Sequence, residues 1–297
     1  MQVKNYGVET DYLYPMQSAT GSSDQQPFLW WRYFFHIAYK GIHYHGWQSQ
    51  KDIVNVQYVI EKALSEILKV PCTIMGCGRT DAQVHASQYF FHLDVEKKWD
   101  FDLLFRLNKK LPSDIAVFEI IPMEGSNHAR FDASQRTYDY FIHTYKDPFL
   151  SGLSALYPER NPDLHKIKAA LSLLTRYQDY RAFCKTPDTY KNTICKVTAA
   201  NLYTDTAGDR IRFEFSSNRF LTRMIRILVD KLLDVGNGIL SVDEFESHLI
   251  TREAPKTIEP AYPQGLYLSR VIYPYLDVAP RADFSARLHH EDQWLIV

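Results

Sequence analysis

The segment from Gly76 to Ala86 places several chemically useful side chains close together, reading Gly-Cys-Gly-Arg-Thr-Asp-Ala-Gln-Val-His-Ala. It offers a guanidinium at Arg79, a carboxylate at Asp81 and an imidazole at His85. A carboxylate can act as a nucleophile or a base, and a guanidinium matches the geometry of a phosphate. The same residues also fit a surface turn closed by an ion pair between Arg79 and Asp81, which is a common and weak interaction.

Two other chemistries are open at this segment from residue types alone. His43 and His45 would share one face of a strand and could bind zinc together with His85, but no nearby Cys or Glu completes the usual four ligands. A glycosidase needs a second carboxylate at a defined distance from Asp81, and the segment supplies none. We therefore expect no metal site at this segment.

The elements around this segment predict a loop held between two strands. Residues 71–77 and 88–95 are typical of strands, and the glycines between them permit tight turns. Apolar residues recur at helical spacing from Val56 to Leu68, which predicts a helix before the loop. Strands over 31–39 and 115–121 and a short helix over 101–110 complete the order β-α-β-β-α-β, the split βαβ unit of ferredoxin-like folds.

The second half of the chain repeats this order. Its predicted elements are strands over 136–143, 195–203, 210–215 and 266–274, a helix opened by Pro162-Asp163, a helix over about 219–235, and a short helix capped by Ser241 and Glu244. We predict an α+β fold of two βαββαβ (ferredoxin-like or RRM-like) halves, residues 30–123 and 124–276. Residues 1–29 form a poorly structured lead, and residues 277–297 form a tail.

Composition excludes several classes of protein. The chain has 297 residues, is 45% hydrophobic and has 34 basic against 35 acidic residues, for a net charge of −1. This mix excludes collagen-like, coiled-coil and largely disordered chains, and a molecule that is basic over its whole surface. Four cysteines without a C-x-x-C pair predict reduced thiols and a cytoplasmic location. The sequence shows neither an apolar run long enough for a membrane span nor a signal-peptide pattern.

Five segments, in order, resemble the motifs of tRNA pseudouridine synthases of the TruA family. Residues 78–86 match the signature G-R-T-D-A-G-V-H-A at every position except Gln83. The others are Ile37–Gly41 with Gly46–Gln48 (Y-D-G…G-W-Q), Ala129–Ala133 with Arg136–Tyr140 (A-R-F-x-A…R-x-Y-x-Y), Asn218–Arg226 (F-L…M-V-R) and Gly265–Leu268 (G-L-Y-L). The matches span about residues 31–275, and they imply the same two-lobed antiparallel sheet with flanking helices.

The resemblance implies an enzyme that isomerises uridine to pseudouridine in tRNA, in the anticodon stem-loop. It implies that Asp81 is the catalytic aspartate, that Arg226 pairs with Asp81, and that Tyr138 packs against the target base. Leu266 or Leu268 is expected to line the uracil pocket. Arg79 is expected to hold phosphates of the flipped nucleotide, and Arg219 and Arg223 would share a helix face with Arg226 and contribute to RNA binding.

Three departures from the family pattern bear on target choice. Gln83 replaces a glycine, Lys40 replaces the usual aspartate, and Cys195 lies near a place where the family often has arginine. A non-catalytic or retargeted RNA-binding relative is therefore the alternative. Beyond tRNA, the resemblance implies a homodimer as the working assembly and a reaction that needs no metal or other cofactor. The lack of a long apolar run predicts no membrane partner. Because the net charge is −1, any RNA-binding groove must be local. Its candidate residues are Arg79, Lys109, Lys110, Arg219 and Arg223.

Overall fold

The computed structural model describes residues 30–50, 52–158, 162–281 and 294–297. The strands are β1 (Trp31–Tyr39), β2 (Ile74–Gly76), β3 (His85–Val95), β4 (Ile115–Met123), β5 (Gln135–His143), β6 (Ala155–Leu156), β7 (Val197–Thr204), β8 (Arg210–Ser217), β9 (Leu266–Ile272) and β10 (Leu295–Ile296). The α-helices are α1 (Val56–Leu68), α2 (Leu103–Lys110), α3 (Leu164–Leu173), α4 (Met224–Gly236) and α5 (Val242–Thr251). The predicted lead, residues 1–29, lies outside the described residues.

The strands form one continuous sheet in the order β10-β7-β8-β5-β9-β3-β1-β4, with β2 on β3 and β6 on β5. The main pairings within each half are antiparallel, as the fold prediction requires. The halves meet in a short parallel pairing of β3 with β9, in which His85 lies opposite Tyr267 and Ala86 opposite Leu268. This junction brings the segment that precedes β3 next to the segment that precedes β9.

Local sequence accounts for most helix boundaries. Asn55, Asp102 and Asp163 each accept a backbone hydrogen bond at the start of α1, α2 and α3. Ser241 and Glu244 form the predicted capping box of α5.

Three predicted boundaries are wrong by three residues or more. Strand β2 begins at Ile74 rather than residue 71, because its pairing with β3 starts there. Strand β3 begins at His85 rather than residue 88. His85 and Ala86 already pair with β9, and Ala86 also pairs with β1. Helix α4 begins at Met224 rather than near residue 219, because Arg223 adopts a left-handed backbone with φ of +60°. Arg219 and Arg223 therefore precede the helix and do not share a helix face with Arg226.

The core is dominated by aromatic side chains from the central strands. Phe34, Phe35, Tyr89 and Phe91 are fully buried, and the rings of Phe35 and Phe91 stack at 4.6 Å between centroids. All four cysteines are buried free thiols. In the described part of the chain, no helix is long and apolar enough to cross a membrane. Strand β10 of the tail pairs with β7, so part of residues 277–297 belongs to the sheet.

Candidate active site

We call the loop between β2 and β3, residues 77–84, the reactive loop. Buried aromatic residues of the sheet hold its backbone in place. The Tyr89 hydroxyl donates to the Gly78 carbonyl at 2.5 Å, and the hydroxyls of Tyr39 and Thr80 share a hydrogen bond of 2.9 Å. Trp47 stacks on Tyr89 at 4.1 Å between centroids. Since these rings are buried in the sheet, the loop backbone is held by the rigid core rather than by solvent-exposed contacts.

Two glycines allow a second segment to lie directly on the reactive loop. A Cβ on Gly41 would stand 1.9 Å from the Val84 carbonyl oxygen, and one on Gly46 would stand 2.3 Å from the Thr80 carbonyl oxygen. Gly46 also has φ of +85°, which favours glycine. The G-W-Q segment thus supports the backbone of the loop. The Trp47 N–H also donates to the Thr80 carbonyl at 3.2 Å.

Asp81 lies between two guanidinium groups at the start of α4. Its Oδ2 accepts a hydrogen bond from Arg226 Nη1 at 3.1 Å, and Arg223 Nε lies 3.9 Å from the same oxygen. Arg226 is largely buried and also donates from Nε to the Ala261 carbonyl at 2.6 Å, so its orientation is fixed at both ends. Asp81 keeps about a third of its side chain exposed (34%), so the paired carboxylate remains accessible to a substrate.

Tyr138 on β5 is the aromatic residue predicted for the site. Its ring is 8% exposed and packs edge-on against Phe220 at 5.2 Å between centroids. Burial raises the pKa of its hydroxyl above the usual range, and the Asp81 charge adds to this shift. In the β5–β9 register Leu268 lies opposite Tyr138 and Leu266 opposite Tyr140, so the predicted pocket leucines are neighbours of the tyrosines on the adjoining strand.

Gln83 lies near the C-terminal end of the reactive loop, and His85 is the first residue of β3 after the loop. Gln83 has φ of +65°, its backbone N–H donates to the Tyr44 carbonyl at 3.0 Å, and its side chain is exposed. The loop therefore keeps the glycine-type backbone and carries the strain of a side chain there. His85 is buried, accepts from the Gly41 N–H at Nδ1 (3.0 Å) and stacks on Tyr267 at 4.4 Å. Burial, helped by the Lys40 charge, lowers the pKa of His85 to about 4, so its ring braces the loop as a neutral group.

Comparison with known proteins decides the family. A family model described as tRNA pseudouridine synthase matches residues 174–274. The chain is 37% identical over 246 residues to tRNA pseudouridine synthase A of Porphyromonas gingivalis, covering 82% of this chain and 97% of that protein. It is 39% identical over 246 residues to tRNA pseudouridine synthase A of Bacteroides fragilis, covering 82% of this chain and 96% of that protein. The chain belongs to the tRNA pseudouridine synthase family.

This family of isomerases accounts for the residues that meet at the reactive loop. The ion pair predicted between Arg226 and Asp81 is present, and Tyr138 lies close enough for the Asp81 charge to act on its hydroxyl. Arg79 lies within the reactive loop and is exposed.

The contacts described for Arg219 and Lys110, which are also predicted to bind RNA, are with residues other than Asp81. The Arg219 guanidinium lies over the Tyr190 ring at 5.5 Å. Lys109 and Lys110 lie on α2, which packs against α1 and the edge strand β4, and Lys110 forms an ion pair with Glu66.

Sequence reasoning missed the role of Arg136, which belongs to the R-x-Y-x-Y motif. Its guanidinium donates to the Cys77 carbonyl from Nη2 at 2.6 Å and from Nε at 3.3 Å. The same group also donates to carbonyls of three further residues: Arg130 at 2.8 Å, Ala133 at 3.3 Å and Asn218 at 3.3 Å. One side chain thus ties the reactive loop, the A-R-F segment and the segment before α4 together. Only its place two residues before Tyr138 in the motif could have drawn attention to it.

Proposed function

We propose that this protein isomerises uridine to pseudouridine in tRNA, within the anticodon stem-loop, with Asp81 as the catalytic carboxylate. The observation that carries the proposal is the partly exposed Asp81 carboxylate held at 3.1 Å by the largely buried Arg226. A carboxylate in this setting can serve as the nucleophile or base that the reaction needs. Family membership and the similarity to two curated tRNA pseudouridine synthases support the choice of substrate.

The reaction breaks the C1′–N1 bond of uridine, turns the freed base, and joins C5 to C1′. The proton on C5 leaves and a proton is gained at N1, so the product is an isomer and no electrons are exchanged with a partner. Arg226 and Arg223 stabilise the charge of Asp81, and Tyr138 with Leu268 offers the base an apolar face after it leaves its stack. Arg79 is assigned to phosphate contact because its exposed guanidinium adjoins the carboxylate in sequence.

Asp81→Asn tests the catalytic assignment. Purified wild type and variant are given tRNA transcripts tritiated at C5 of uridine, and tritium release to water is measured. We expect release by the wild type and none by Asp81→Asn, with RNA affinity retained because the amide preserves shape. Asp188→Asn, a matched change at an exposed aspartate paired with Arg181, should release tritium at the wild-type rate.

Mapping pseudouridine in total RNA from cells with and without the gene tests the target. Loss of the modification from anticodon stem-loops supports the proposal, and loss elsewhere would relocate the target. RNA binding by a wild type that releases no tritium would instead favour a non-catalytic binding relative. Family resemblance is also the ground on which we propose a cytoplasmic homodimer, which sedimentation of the purified protein and cell fractionation would check.

A further inference from the structure

The loop that connects β4 to β5 presents an arginine and a phenylalanine to solvent beside the reactive loop. Phe131 is 74% exposed, and Arg130 is exposed next to it, with the guanidinium 5.7 Å from the centre of the Phe131 ring. Both belong to the A-R-F segment, which the proposed catalytic cluster does not use. One side of the Phe131 ring packs on the His128 ring at 4.3 Å between centroids. The exposed part of the ring and the guanidinium beside it are both available to contact a ligand.

The backbone that carries these two side chains is unusually well fixed. The imidazole Nδ1 of His128 accepts from the N–H groups of Arg130 (3.0 Å) and Phe131 (3.3 Å), and the Asp132 carboxylate accepts from the His128 N–H at 2.7 Å. Tyr273 donates to the Ala129 carbonyl at 2.6 Å. The exposure of Phe131 is therefore imposed by an ordered loop and does not come from a loose one.

Arg136 fixes this loop relative to the catalytic carboxylate. Its Nη2 donates both to the Arg130 carbonyl at 2.8 Å and to the Cys77 carbonyl at 2.6 Å. Because one nitrogen serves both carbonyls, the A-R-F loop and the first residue of the reactive loop lie within a few ångströms of each other. Asp81 follows Cys77 by four positions, so the A-R-F loop is tied to the start of the loop that carries Asp81.

We propose that Phe131 and Arg130 form a second nucleotide contact, in which the Phe131 ring stacks on an unpaired base of the RNA next to the target uridine and Arg130 contacts the adjoining phosphate. Aromatic side chains stack on any base, whereas guanidinium groups recognise phosphate, so this pair fits single-stranded RNA. The proposal rests on the proposed function, since it assigns the contact to the same RNA.

The stacking contact is tested by measuring kcat and KM on a tRNA transcript that the wild type modifies. Phe131→Ala and Phe131→Leu should raise KM by about 5-fold to 100-fold, the range expected for loss of one stacked base, with kcat at saturating RNA little changed. Phe131→Tyr keeps an aromatic face and should behave as the wild type. Ile239→Ala removes another exposed apolar side chain (69%), just beyond the C-terminal end of α4, and should leave KM unchanged.

Salt dependence separates the two halves of the contact. Arg130→Gln should reduce the slope of log affinity against log salt by about one, whereas Phe131→Ala should leave that slope unchanged. Thermal unfolding of every variant checks that the fold is retained. A wild-type KM in both Phe131→Ala and Phe131→Leu, or an equal loss in Phe131→Tyr, would overturn the stacking assignment.

The proposal can fail separately from the proposed function. If the wild type releases tritium and Phe131→Ala has an unchanged KM, the stacking contact alone is wrong. If the wild type releases none, the proposed reaction is wrong, and fluorescence anisotropy of the labelled transcript still decides the contact. In that case equal affinities of wild type and Phe131→Ala would overturn it, and a weaker Phe131→Ala would support it.

Discussion

Gln83 shows how a single residue can keep the backbone of a motif while changing its surface. It holds φ of +65° and lines a cavity of about 410 Å³ together with Lys40, His43 and Gln264. A left-handed conformation is unfavourable for a residue with a side chain by about 1–2 kcal/mol. Because the side chain is exposed, glutamine at this position changes the surface of the loop and not the path of its backbone.

Gln83→Gly and Gln83→Ala together separate the backbone effect from the side-chain effect. Gln83→Gly should unfold less readily than Gln83→Ala by about 1 kcal/mol, because only glycine relieves the strain. If the amide selects the site, both variants should change the set of uridines modified in tRNA transcripts, and to the same extent. Unchanged sites at unchanged rates would show that Gln83 has no part in selection.

Arg226 and Arg223 differ in how firmly they hold the same carboxylate. Arg226 is 12% exposed and bonds Asp81 at 3.1 Å, whereas Arg223 is 37% exposed with its Nε 3.9 Å away. We expect Arg226→Gln to lower kcat by about 100-fold or more, the effect of losing a preorganised charge partner, with a small change in KM. Arg223→Gln should lower kcat less. Equal losses in the two variants would contradict the ranking.

At the scale of elements, the sequence predicts those whose signals are local. The apolar stripe of α1 and its Asn55 cap place that helix over Val56–Leu68, as predicted. The start of α4 depends on tertiary contacts, because the Thr222 carbonyl accepts from Lys185 N–H at 3.1 Å and the Tyr190 hydroxyl accepts from Thr222 N–H at 3.0 Å. Helical periodicity alone cannot register such contacts, so the predicted helix began too early.

The sequence predicts Asp81, Tyr138 and Arg226 as residues of the site, but it does not predict the residue that supports their positions. Asp81, Tyr138 and Arg226 were identified by motifs that resemble a family, and their proximity agrees with that resemblance. Arg136 acts through backbone carbonyls of four residues in three segments, and a carbonyl has no signature in a sequence. The clamp becomes visible only when the segments are seen together.

Arg136→Lys tests this clamp between elements. An ammonium cannot reproduce the planar fork that reaches the Cys77, Arg130 and Asn218 carbonyls at once, so the reactive loop loses its fixed position. We expect kcat to fall about 10-fold or more with a smaller change in KM, and Arg136→Gln to lose more than Arg136→Lys. Arg270→Lys, at an exposed arginine on β9, should match the wild type. A loss confined to thermal stability would limit Arg136 to a structural role.

At the scale of the whole molecule, two half-sheets are joined by a short parallel ladder. The parallel ladder between β3 and β9 pairs only His85 with Tyr267 and Ala86 with Leu268 among the described residues. Beyond it, the buried Gln88 amide continues the junction, accepting from Val271 N–H and donating to the Val278 carbonyl, each at 2.9 Å. His85 therefore links Gly41, which lies against the reactive loop, with the junction between β3 and β9.

This junction should make the stability of the whole fold sensitive to acid. Burial lowers the pKa of His85 to about 4 from an ordinary value of 6.5, so between these values the unfolded chain binds a proton that the folded protein excludes. The free energy of unfolding should be fully retained above pH 6.5 and fall as the pH drops towards 4, with His36 adding to the same trend through its own lowered pKa of about 4. Denaturant unfolding of His85→Gln, whose amide oxygen can still accept from Gly41, should show a loss between pH 7 and pH 4 that is smaller by up to about 3 kcal/mol. His45→Gln, at an exposed histidine of the neighbouring segment, should keep the wild-type pH profile, and an identical profile in His85→Gln would show that the buried ring does not couple proton binding to folding.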